Sequence, residues 1–428
     1  MELTRDQQEI RDGRDGETLA KVMRSLIMYG ETFGATHMVK VTGAMGHLVT
    51  SFGLSVMKPV QGLMQELIDN GALSSQPFTV DPRPIDKNVP SNLIQDIVFK
   101  VMYSRQAYYE KQLSELGLLS GDAFTCTCYM DEIGNTPSKG DILSWAESSA
   151  VVYANSVLGA RCNRNSGIIE LFGSIVGYVP YFGLLTDEGR KASWIIELRT
   201  RTLPPAQLLG SAIGLRVTEE VPYIKGLQSF LGNELNDDTK AYCKDMGAAA
   251  ASNGAVGLYH IEGLTPEAVE LGDSLLLPNA NTYVIDDDEI ARVRKSYPCI
   301  WKNPAATPKL CFVGCPHLSS KQLHDWTNNL EAALAKSGQK TVRIPTVFTA
   351  APAVKDEFEK TPDFAKLTSM KVILSDICPL MYMNNPKCRT MPVITNSNKL
   401  RTYTTARYHN DDEILALLAD GGIRNENI

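Results

Sequence analysis

The sequence predicts an α/β protein built from several packed α/β units. Runs of apolar and β-branched residues that are typical of strands alternate along the chain with runs whose apolar residues recur at helical intervals. The chain has 428 residues, of which 43% are hydrophobic and 21% are charged, an ordinary composition for a soluble globular protein. That length is sufficient for two or three units that share continuous cores.

The first unit is predicted over residues 1–186. Its first helix spaces Leu19, Val22, Met23 and Leu26 at helical intervals, and glycines follow its helices as natural caps. The predicted elements are a helix over 16–34, a strand over 38–41, a turn-rich segment over 42–47, a helix over 60–70, a strand over 78–80, a loop over 81–86 and a largely buried helix over 141–158 that ends at Gly159.

An inserted α/β sub-domain is predicted over residues 187–300, and a C-terminal α/β unit over 301–428. The segment 284–302 is acidic and then contains proline and lysine, so it is the predicted linker between them. The predicted elements are strands over 194–198 and 257–261 with helices over 208–214 and 237–250 in the sub-domain, and strands over 309–314, 341–344, 370–374 and 391–395 with a helix over 319–336 in the C-terminal unit.

Charge and hydropathy exclude two classes of partner. The formal net charge is −7 and the basic residues are scattered, whereas nucleic-acid binding needs a clustered basic footprint. The charged segment at the N-terminus, residues 1–8, has no apolar signal region. The most apolar long stretch, residues 167–185, contains Glu170 and Pro180, which would be costly in lipid. We therefore expect a cytoplasmic protein that binds neither nucleic acid nor a membrane.

Three of the nine cysteines are candidate metal ligands. Cys126, Cys315 and Cys378 are predicted to lie where strands end, which is where α/β folds place their active sites. Together they could bind iron through thiolates and leave one coordination position open. Spacing alone leaves a second interpretation, unconnected buried thiols, because no C-x-x-C array is present. Cys128 is interpreted as core filling or as a spare thiol beside Cys126.

Two polar residues, Glu147 and Ser148, interrupt the apolar run predicted to be a helix. A buried carboxylate costs several kcal/mol unless it is paired or faces a polar cavity. The two residues therefore mark either the polar face of an active site or the solvated stripe of an amphipathic helix. Lys399 follows a predicted strand through small polar residues, which indicates either an anion pocket or an exposed turn.

Other loop residues give weaker signals. His47 and the sequence Asp81-Pro82-Arg83 are predicted to follow strands, where substrate-binding groups commonly lie. His317 comes shortly after Cys315, where it could donate a hydrogen bond to a metal ligand.

Five longer stretches occur in an order that a known family shares. They are Gly134–Asp141, Trp145–Arg161, Asn163–Arg164, Gly314–His317 and Thr395–Lys399. Together they resemble the large subunit of the aconitase X family, and the resemblance covers nearly the whole chain from about Leu3 onward.

The resemblance implies an aconitase-like fold in which several α/β units, with the inserted sub-domain, pack around an iron site. The metal-ligating cysteines of the family fall on Cys126, Cys315 and Cys378, which would hold a 4Fe-4S cluster, a 2Fe-2S cluster or a single iron. With the neighbouring His47 and Arg83 added, the expected site residues are the substrate-binding Gly46, His47, Asp81, Pro82 and Arg83, and the substrate-binding and catalytic Glu147, Ser148 and Lys399.

The known reactions of the family are dehydrations of cis-3-hydroxy-L-proline and of mevalonate 5-phosphate. We therefore predict an iron-dependent hydro-lyase of a small hydroxy acid, with cis-3-hydroxy-L-proline or a related acid as the first expectation and mevalonate 5-phosphate as the alternative. An aconitase-type isomerase and a metal-free binding or scaffold protein of the same fold are the further alternatives.

The resemblance also implies a partner. The family contains a swivelling domain with a Gly/Ser-rich segment, whose serine resembles a catalytic base. No such segment occurs in this sequence, so we expect a separate small swivel subunit of the aconitase X type. Residues 42–48 and Cys128 depart from the family pattern near the expected pocket, which affects the identity of the substrate more than the type of reaction.

Overall fold

The predicted α/β fold is confirmed by a computed structural model, which describes residues 1–49 and 53–420. Two small sheets have two strands each, and two larger sheets have four and five strands. The larger sheets are parallel throughout, as is usual where helices connect successive strands and cover both faces.

The two small sheets lie in the N-terminal region. Its strands are β1 (Met38–Lys40), β2 (Gly46–Leu48), β3 (Phe78–Val80) and β4 (Tyr178–Pro180), and its helices are α1 (Arg5–Arg11), α2 (Glu17–Thr32), α3 (Lys58–Asp69), α4 (Leu93–Met102), α5 (Gln106–Leu116), α6 (Ser148–Tyr153) and α7 (Gly167–Val176). β1 pairs antiparallel with β4, and β2 pairs in parallel with β3. The helices α2 and α3 and the strands β1 and β3 confirm the predictions for this region.

The predicted helix over 141–158 is wrong in its first half, which is extended. The backbone N–H of Leu143 donates to the carbonyl of Arg161, and Trp145 forms a parallel bridge with His47. These contacts give the apolar side chains a sheet-like environment, which overrides their helical spacing. They also place His47 inside β2, so the turn and loop predicted at that residue are wrong.

The helix α6 begins only at Ser148. Glu147 is its N-cap, and its carboxylate accepts a hydrogen bond of 2.6 Å from the backbone N–H of Ala150. The helix continues through a π-helical turn over Ala154–Leu158 and ends at Gly159, whose φ of 72° is left-handed. The predicted C-terminal end is therefore confirmed, because only glycine adopts that conformation at little cost.

The middle region carries the four-stranded sheet. Its elements are β5 (Ala192–Leu198), α8 (Ala206–Val217), β6 (Pro222–Lys225), α9 (Gln228–Leu231), α10 (Asp237–Asn253), β7 (His260–Ile261), α11 (Pro266–Leu271), β8 (Leu276–Ile285) and α12 (Asp287–Lys295), with the strand order β7-β6-β5-β8. α8 packs closely on α10, since a Cβ at Gly210 would lie 2.0 Å from the carbonyl oxygen of Met246.

Two predictions for this region are corrected. The strand predicted over 257–261 is shorter, because the N–H of Tyr259 donates to the hydroxyl of Ser156 instead of to a strand. The predicted linker over 284–302 contains the end of β8 and the whole of α12. Its acidic residues occupy the first turn of α12 and its basic residues the last turn, which is the charge order that a helix dipole favours.

The C-terminal region carries the five-stranded sheet. Its elements are β9 (Leu310–Leu318), α13 (Ser320–Lys336), β10 (Thr346–Ala350), α14 (Pro352–Phe358), α15 (Pro362–Ser369), β11 (Val372–Ser375), α16 (Pro379–Met383), β12 (Val393–Thr395), α17 (Asn398–Tyr403), β13 (Arg407–Tyr408) and α18 (Asp411–Asp420), with the strand order β11-β10-β9-β12-β13. β9 is therefore the central strand, and it brings Cys315 to the middle of the sheet.

Residues 341–344 do not form the strand that was predicted there. The next strand, β10, begins at Thr346. Val342 and Arg343 donate their backbone N–H groups to carbonyls of Met370 and Leu418, so they connect the sheet to a loop and a helix. The strand β9 is longer than predicted, so Cys315 lies within it and not after it.

The apolar stretch over 167–185 is divided between α7, β4 and a short 3₁₀ turn. Its carboxylic residue, Glu170, is only 1% exposed. In the described ranges, no helix combines the length and apolarity that crossing a bilayer requires.

Burial raises the pKa of the Glu170 carboxyl to about 8. Its Oε1 accepts a 2.6 Å hydrogen bond from the Asn165 amide, and its Oε2 lies 2.7 Å from the Ser144 hydroxyl. The same hydroxyl donates to the backbone carbonyl of Glu170 at 2.7 Å. A hydroxyl has one proton to donate, so the protonated carboxyl must donate to Ser144.

We expect the wild-type chain to lose stability at alkaline pH and the Glu170→Gln variant to keep its stability there. Because folding raises this pKa, the stabilisation is complete below the ordinary glutamate pKa of 4.5 and is lost as pH rises through about 8. One pKa unit corresponds to about 1.4 kcal/mol, so the difference between the chains is on the order of a few kcal/mol. Thermal unfolding followed by circular dichroism should give similar Tm values at pH 5 and a higher Tm for the variant at pH 8.5. A Tm difference independent of pH would contradict the assignment.

Candidate active site

The centre of the candidate site is an ion pair between Glu147 and Lys399, which lie 252 residues apart in the sequence. The Lys399 ammonium donates to Oε1 of Glu147. The Lys399 side chain is only 15% exposed and the Glu147 side chain only 4% exposed, so water screens the pair poorly. The hydroxyl of Ser149 donates to Oε2 of Glu147 at 2.6 Å and lies 3.4 Å from the Lys399 ammonium.

The ion pair keeps both of its members charged. Burial would raise the pKa of Glu147, but the charge and the hydrogen bond of Lys399 hold it below its ordinary value. Burial would lower the pKa of Lys399, but the charge of Glu147 reverses that effect and raises it. The site therefore contains a fixed ammonium and a fixed carboxylate at neutral pH.

Small polar residues before Lys399 start the helix that carries it. The hydroxyl of Ser397 caps α17 by accepting from the N–H of Leu400 at 3.1 Å, and the N–H of Ser397 donates to the hydroxyl of Thr395 at 3.1 Å. The amide of Asn398 donates to Asn253 at the end of α10. The polar run thus holds Lys399 inside the protein, and the interpretation as an exposed turn lysine is wrong.

The three candidate cysteines come to this site on three separate segments. Cys126 lies in the loop after α5, just past Phe124, which bridges Val80 at the end of β3; Cys315 lies in β9, and Cys378 is the N-cap residue of α16. All are free thiols. Burial raises the pKa of each, to about 12 for Cys378, and the proximity of Cys315 raises those of Cys126 and Cys378 further. The structure therefore brings together the three cysteines chosen from the sequence.

A buried histidine connects the three cysteine-bearing segments. His317 lies two residues after Cys315, and its Nε2 donates to the carbonyl of Ile377 at 3.1 Å. Its Nδ1 therefore accepts from the hydroxyl of Thr125 at 3.2 Å. Its backbone N–H donates to the sulfur of Cys126 at 3.4 Å. Burial lowers the pKa of His317 to about 4, so the ring is neutral and this tautomer is fixed at neutral pH.

The donor set suits an iron–sulfur cluster. Soft thiols beside hydrogen-bond donors are the ligands such clusters use. Here the N–H of His317 donates to the sulfur of Cys126 at 3.4 Å, and Ser397 and the backbone of Met381 lie close enough to Cys315 and Cys378 to offset part of the rise in pKa that burial causes. Among residues 1–49 and 53–420, no three His, Cys, Asp or Glu side chains converge as ligands of one metal ion would. A cluster can bind each cysteine through a different iron, which requires no such convergence.

A second buried pair, His47 and Asp81, lies on the side of the site formed by β2 and β3. His47 Nδ1 is 2.8 Å from the hydroxyl of Thr79, whereas His47 Nε2 and Asp81 Oδ1 are 3.7 Å apart. Neither of these last two atoms has a hydrogen-bond partner within the described residues, although both are buried. Burial lowers the pKa of His47 to about 4 and raises that of Asp81, which the charge of Glu147 raises further. The His47 ring is thus neutral at neutral pH, and the two atoms without partners in the described residues are free to bind a ligand.

The guanidinium of Arg83 is turned away from this pair. It contacts the Glu110 carboxylate at 3.1 Å, donates to the carbonyl of Gly121 at 2.7 Å and stacks on the ring of Phe124 at 4.0 Å. Its own carbonyl accepts from the N–H of Cys378 at 2.8 Å. Arg83 therefore holds the loop that carries a candidate metal ligand.

The remaining predicted site residues lie around these groups. Gly46 is in β2, and its carbonyl accepts from the amide of Asn135 at 3.1 Å. Pro82 is buried beside Asp81. Ser148 begins α6 and is partly exposed, while it is the adjacent Ser149 that binds the ion pair.

Sequence reasoning missed two residues and left one open. Ser149 was not predicted because Glu147 was assigned to the interior of a helix, where a serine two residues later faces a different side. A helix start at Ser148 would have indicated that Glu147 is the N-cap and that Ser149 lies beside it. Lys244 in α10 donates to the carbonyl of His317 at 2.7 Å, and no local pattern marks it. Cys128 is fully buried in a hydrophobic cluster, so it fills the core beside the site.

Comparison with known proteins agrees with this arrangement. Residues 1–188 match the sequence profile of the aconitase X first domain, and residues 192–295 match that of the aconitase X second domain. The solved structure of the holo form of aconitase X from Thermococcus kodakaraensis is similar, with a TM-score of 0.78 and 26% identity over 97% of this chain and 99% of that chain.

Curated relatives are dehydratases. The phosphomevalonate dehydratase large subunit of Thermococcus kodakarensis is 30% identical over 361 residues, which are 83% of this chain and 82% of the relative. The cis-3-hydroxy-L-proline dehydratase of Hypocrea jecorina is 28% identical over 289 residues, which are 65% of this chain and 46% of the relative. The resemblance seen in the sequence is thereby confirmed, and the chain belongs to the aconitase X family as one of its hydro-lyases.

Proposed function

We propose that this chain is the large subunit of a two-subunit, iron-dependent dehydratase that acts on a small phosphorylated hydroxy acid of the mevalonate 5-phosphate type. The observation that carries the proposal is the buried Lys399–Glu147 ion pair beside three free thiols. A fixed ammonium can hold a substrate carboxylate, and thiols can hold iron. An iron-dependent elimination of water from a hydroxy acid uses both kinds of group at one site.

The choice of substrate reverses the order expected from sequence alone. The match to the Thermococcus kodakarensis large subunit covers 82% of that relative, whereas the match to the Hypocrea jecorina enzyme covers 46% of that relative. A chain that aligns along most of a separate large subunit supports the two-subunit form and its phosphorylated substrate. The hydroxyproline dehydratase relatives keep cis-3-hydroxy-L-proline as the second candidate.

In this proposal, Cys126, Cys315 and Cys378 hold an iron–sulfur cluster. When bound, such a cluster supplies a Lewis acid that weakens the bond between carbon and the leaving hydroxyl. The raised thiol pKa values mean that the ligands lose their protons on binding the metal, so iron uptake releases protons.

The polar side chains of the chain position the substrate. Lys399 would bind the carboxylate, and Glu147 and Ser149 would hold the ammonium at a fixed position. Asp81 and His47, each with a buried atom that lacks a partner in the described residues, would bind substrate hydroxyl groups. A buried polar atom costs about 1–3 kcal/mol when it is unpaired, so a substrate that satisfies both atoms gains binding energy.

The proton would be removed by a group on a partner subunit. The phosphomevalonate dehydratase relatives are large subunits by name, which supports a small partner, and in this proposal the partner is the swivelling domain of the aconitase X resemblance, with its serine as the base. The groups described here hold the substrate from one side, and closure of the partner would exclude water from the other side.

The test is to produce the chain together with the small subunit, purify the complex anaerobically, and assay mevalonate 5-phosphate and cis-3-hydroxy-L-proline in parallel. We expect iron and acid-labile sulfide in the complex, loss of water from mevalonate 5-phosphate with a kcat/KM at least about 100-fold above that for hydroxyproline, and no activity from the large chain alone.

Three outcomes would contradict parts of the proposal. Preferred turnover of hydroxyproline would replace the substrate and leave the reaction type. A rehydrated isomer among the products would indicate an aconitase-type isomerase. Absence of iron in a folded complex would remove the cluster from the mechanism and favour a binding or scaffold role.

A further inference from the structure

One arginine beside the candidate site has no partner in the described part of the chain. Arg164 makes no ion pair or hydrogen bond there, and its Nη1 atom is buried. Burial lowers its pKa, yet a guanidinium stays charged in proteins. A buried cationic nitrogen without an acceptor is costly, and native proteins contain few such groups.

Two neighbouring arginines show what a structural role looks like in this region. Arg190 is 1% exposed and binds both oxygens of Glu267, at 2.7 and 2.8 Å, as well as carbonyl groups. Arg161 donates to the carbonyl of Leu185 and to the carboxylate of Asp187. Both are satisfied by the fold, so the isolation of Arg164 is specific to its position.

The backbone places Arg164 next to the ion pair. Residues 161–164 run parallel to residues 142–147, since Ile142 bridges Arg161 and the thiol of Cys162 donates to the carbonyl of Trp145. Arg164 lies beyond Arg161 along one segment, and Glu147 lies beyond Ile142 along the other. Because the segments are parallel, both residues are at the same end of the pair.

Other contacts support this position. Tyr403 and Glu147 lie close enough to Arg164 to raise its pKa against the effect of burial, and Tyr403 is the last residue of α17, the helix that contains Lys399. The Arg164 stem is held against Gly257, where an added Cβ would lie 3.0 Å from Arg164 Cδ.

Arg164 supplies a positive charge that the ion pair lacks. The charge of Lys399 is balanced by Glu147, the His47 ring is neutral, and the Asp81 carboxyl adds no positive charge in either protonation state, so these four groups carry no net positive charge. A substrate of the proposed type carries a carboxylate and a phosphate, and its second anion needs a cation that is not already neutralised. An arginine can bind two oxygens of a phosphate at once through its planar fork of donors.

We propose that Arg164 is a substrate-binding residue that recognises the phosphate group of the substrate from its place beside the Glu147–Lys399 pair. The assignment rests on the proposed function for the identity of the substrate, while the binding of a phosphate anion can be tested without turnover. It also gives a structural reason for preferring a phosphorylated acid, because a zwitterionic amino acid has no second anion for Arg164 to bind.

The test compares Arg164→Gln, Arg164→Lys and the control Arg161→Gln in the anaerobic two-subunit complex. For Arg164→Gln we expect the KM for mevalonate 5-phosphate to rise by roughly 10- to 100-fold, which is the value of charge-assisted hydrogen bonds, with iron content unchanged. Inorganic phosphate should bind the wild-type complex in calorimetry and protect it against thermal unfolding, and Arg164→Gln should lose both effects. Arg164→Lys should retain part of the binding, and Arg161→Gln should retain all of it.

The outcomes separate the two proposals. If the wild-type complex binds phosphate through Arg164 but dehydrates neither substrate, the proposed function fails and the anion site stands. If Arg164→Gln binds phosphate as the wild type does, or raises the KM for cis-3-hydroxy-L-proline as much as that for mevalonate 5-phosphate, the phosphate assignment is overturned.

Discussion

Replacement of Cys315 by serine is expected to abolish iron retention and to lower dehydratase activity by at least about 1,000-fold, since a Lewis acid supplies several kcal/mol at the transition state. Cys315 lies in the central strand β9 and raises the pKa of both other thiols, so it is the member of the set that neighbours the other two. A hydroxyl is a harder and less acidic donor than a thiol and binds an iron–sulfur cluster poorly.

Iron and acid-labile sulfide are measured on the anaerobic complex beside two cysteine controls. Cys299→Ser changes an exposed thiol and Cys128→Ala changes a buried thiol next to the site, and both should keep full iron. Serine at position 315 with normal iron content would show that the three cysteines do not form the metal site.

Replacement of Lys399 by methionine is expected to lower both activity and stability. It leaves the Glu147 carboxylate buried at 4% exposure without its cation, and breaking a buried pair in this way costs about 3–5 kcal/mol. Loss of a positioned charge in the site should lower kcat/KM by about 100- to 1,000-fold. Chemical denaturation gives the change in the free energy of unfolding, and steady-state kinetics give the change in activity.

The double variant Lys399→Met with Glu147→Gln separates the two effects. Removing both charges removes the unpaired carboxylate, so we expect most of the stability to return while activity stays low. A double variant that recovers activity would show that the ion pair serves the fold alone. A Lys399→Met variant as stable as the wild type would contradict the buried geometry of the pair.

Local patterns predicted most of the elements but failed where a partner strand or a buried hydrogen bond decides the conformation. The apolar spacing of residues 141–158 is helical throughout, yet the bridge between Trp145 and His47 keeps the first half extended. The acidic and basic runs over 284–302 were interpreted as a linker, although they complement the two ends of α12. In both cases the sequence signal was present and two structures were compatible with it.

The candidate site shows the same limit at longer range. Glu147, Lys399 and the three cysteines were found from strand ends, an interrupted apolar run and the family resemblance. Their mutual contacts could not be predicted, because the ion pair spans 252 residues and depends on how two sheets pack. The isolation of Arg164 also required the structure, since it is defined by which acceptors are missing around a side chain in the described chain.

The hydrogen bonds of His317 have a consequence for how the proposed metal site would be assembled. They join the segments of Cys126, Cys315 and Cys378 through Thr125 and Ile377, and these bonds involve no metal. The chain therefore loses the entropy needed to bring three distant ligands together when it folds, and not when it takes up metal. A zinc-finger peptide is unfolded until the ion binds, whereas the proposed cluster would enter a site that the folded chain has already formed. A cluster destroyed by oxygen would then be replaced without unfolding of the protein.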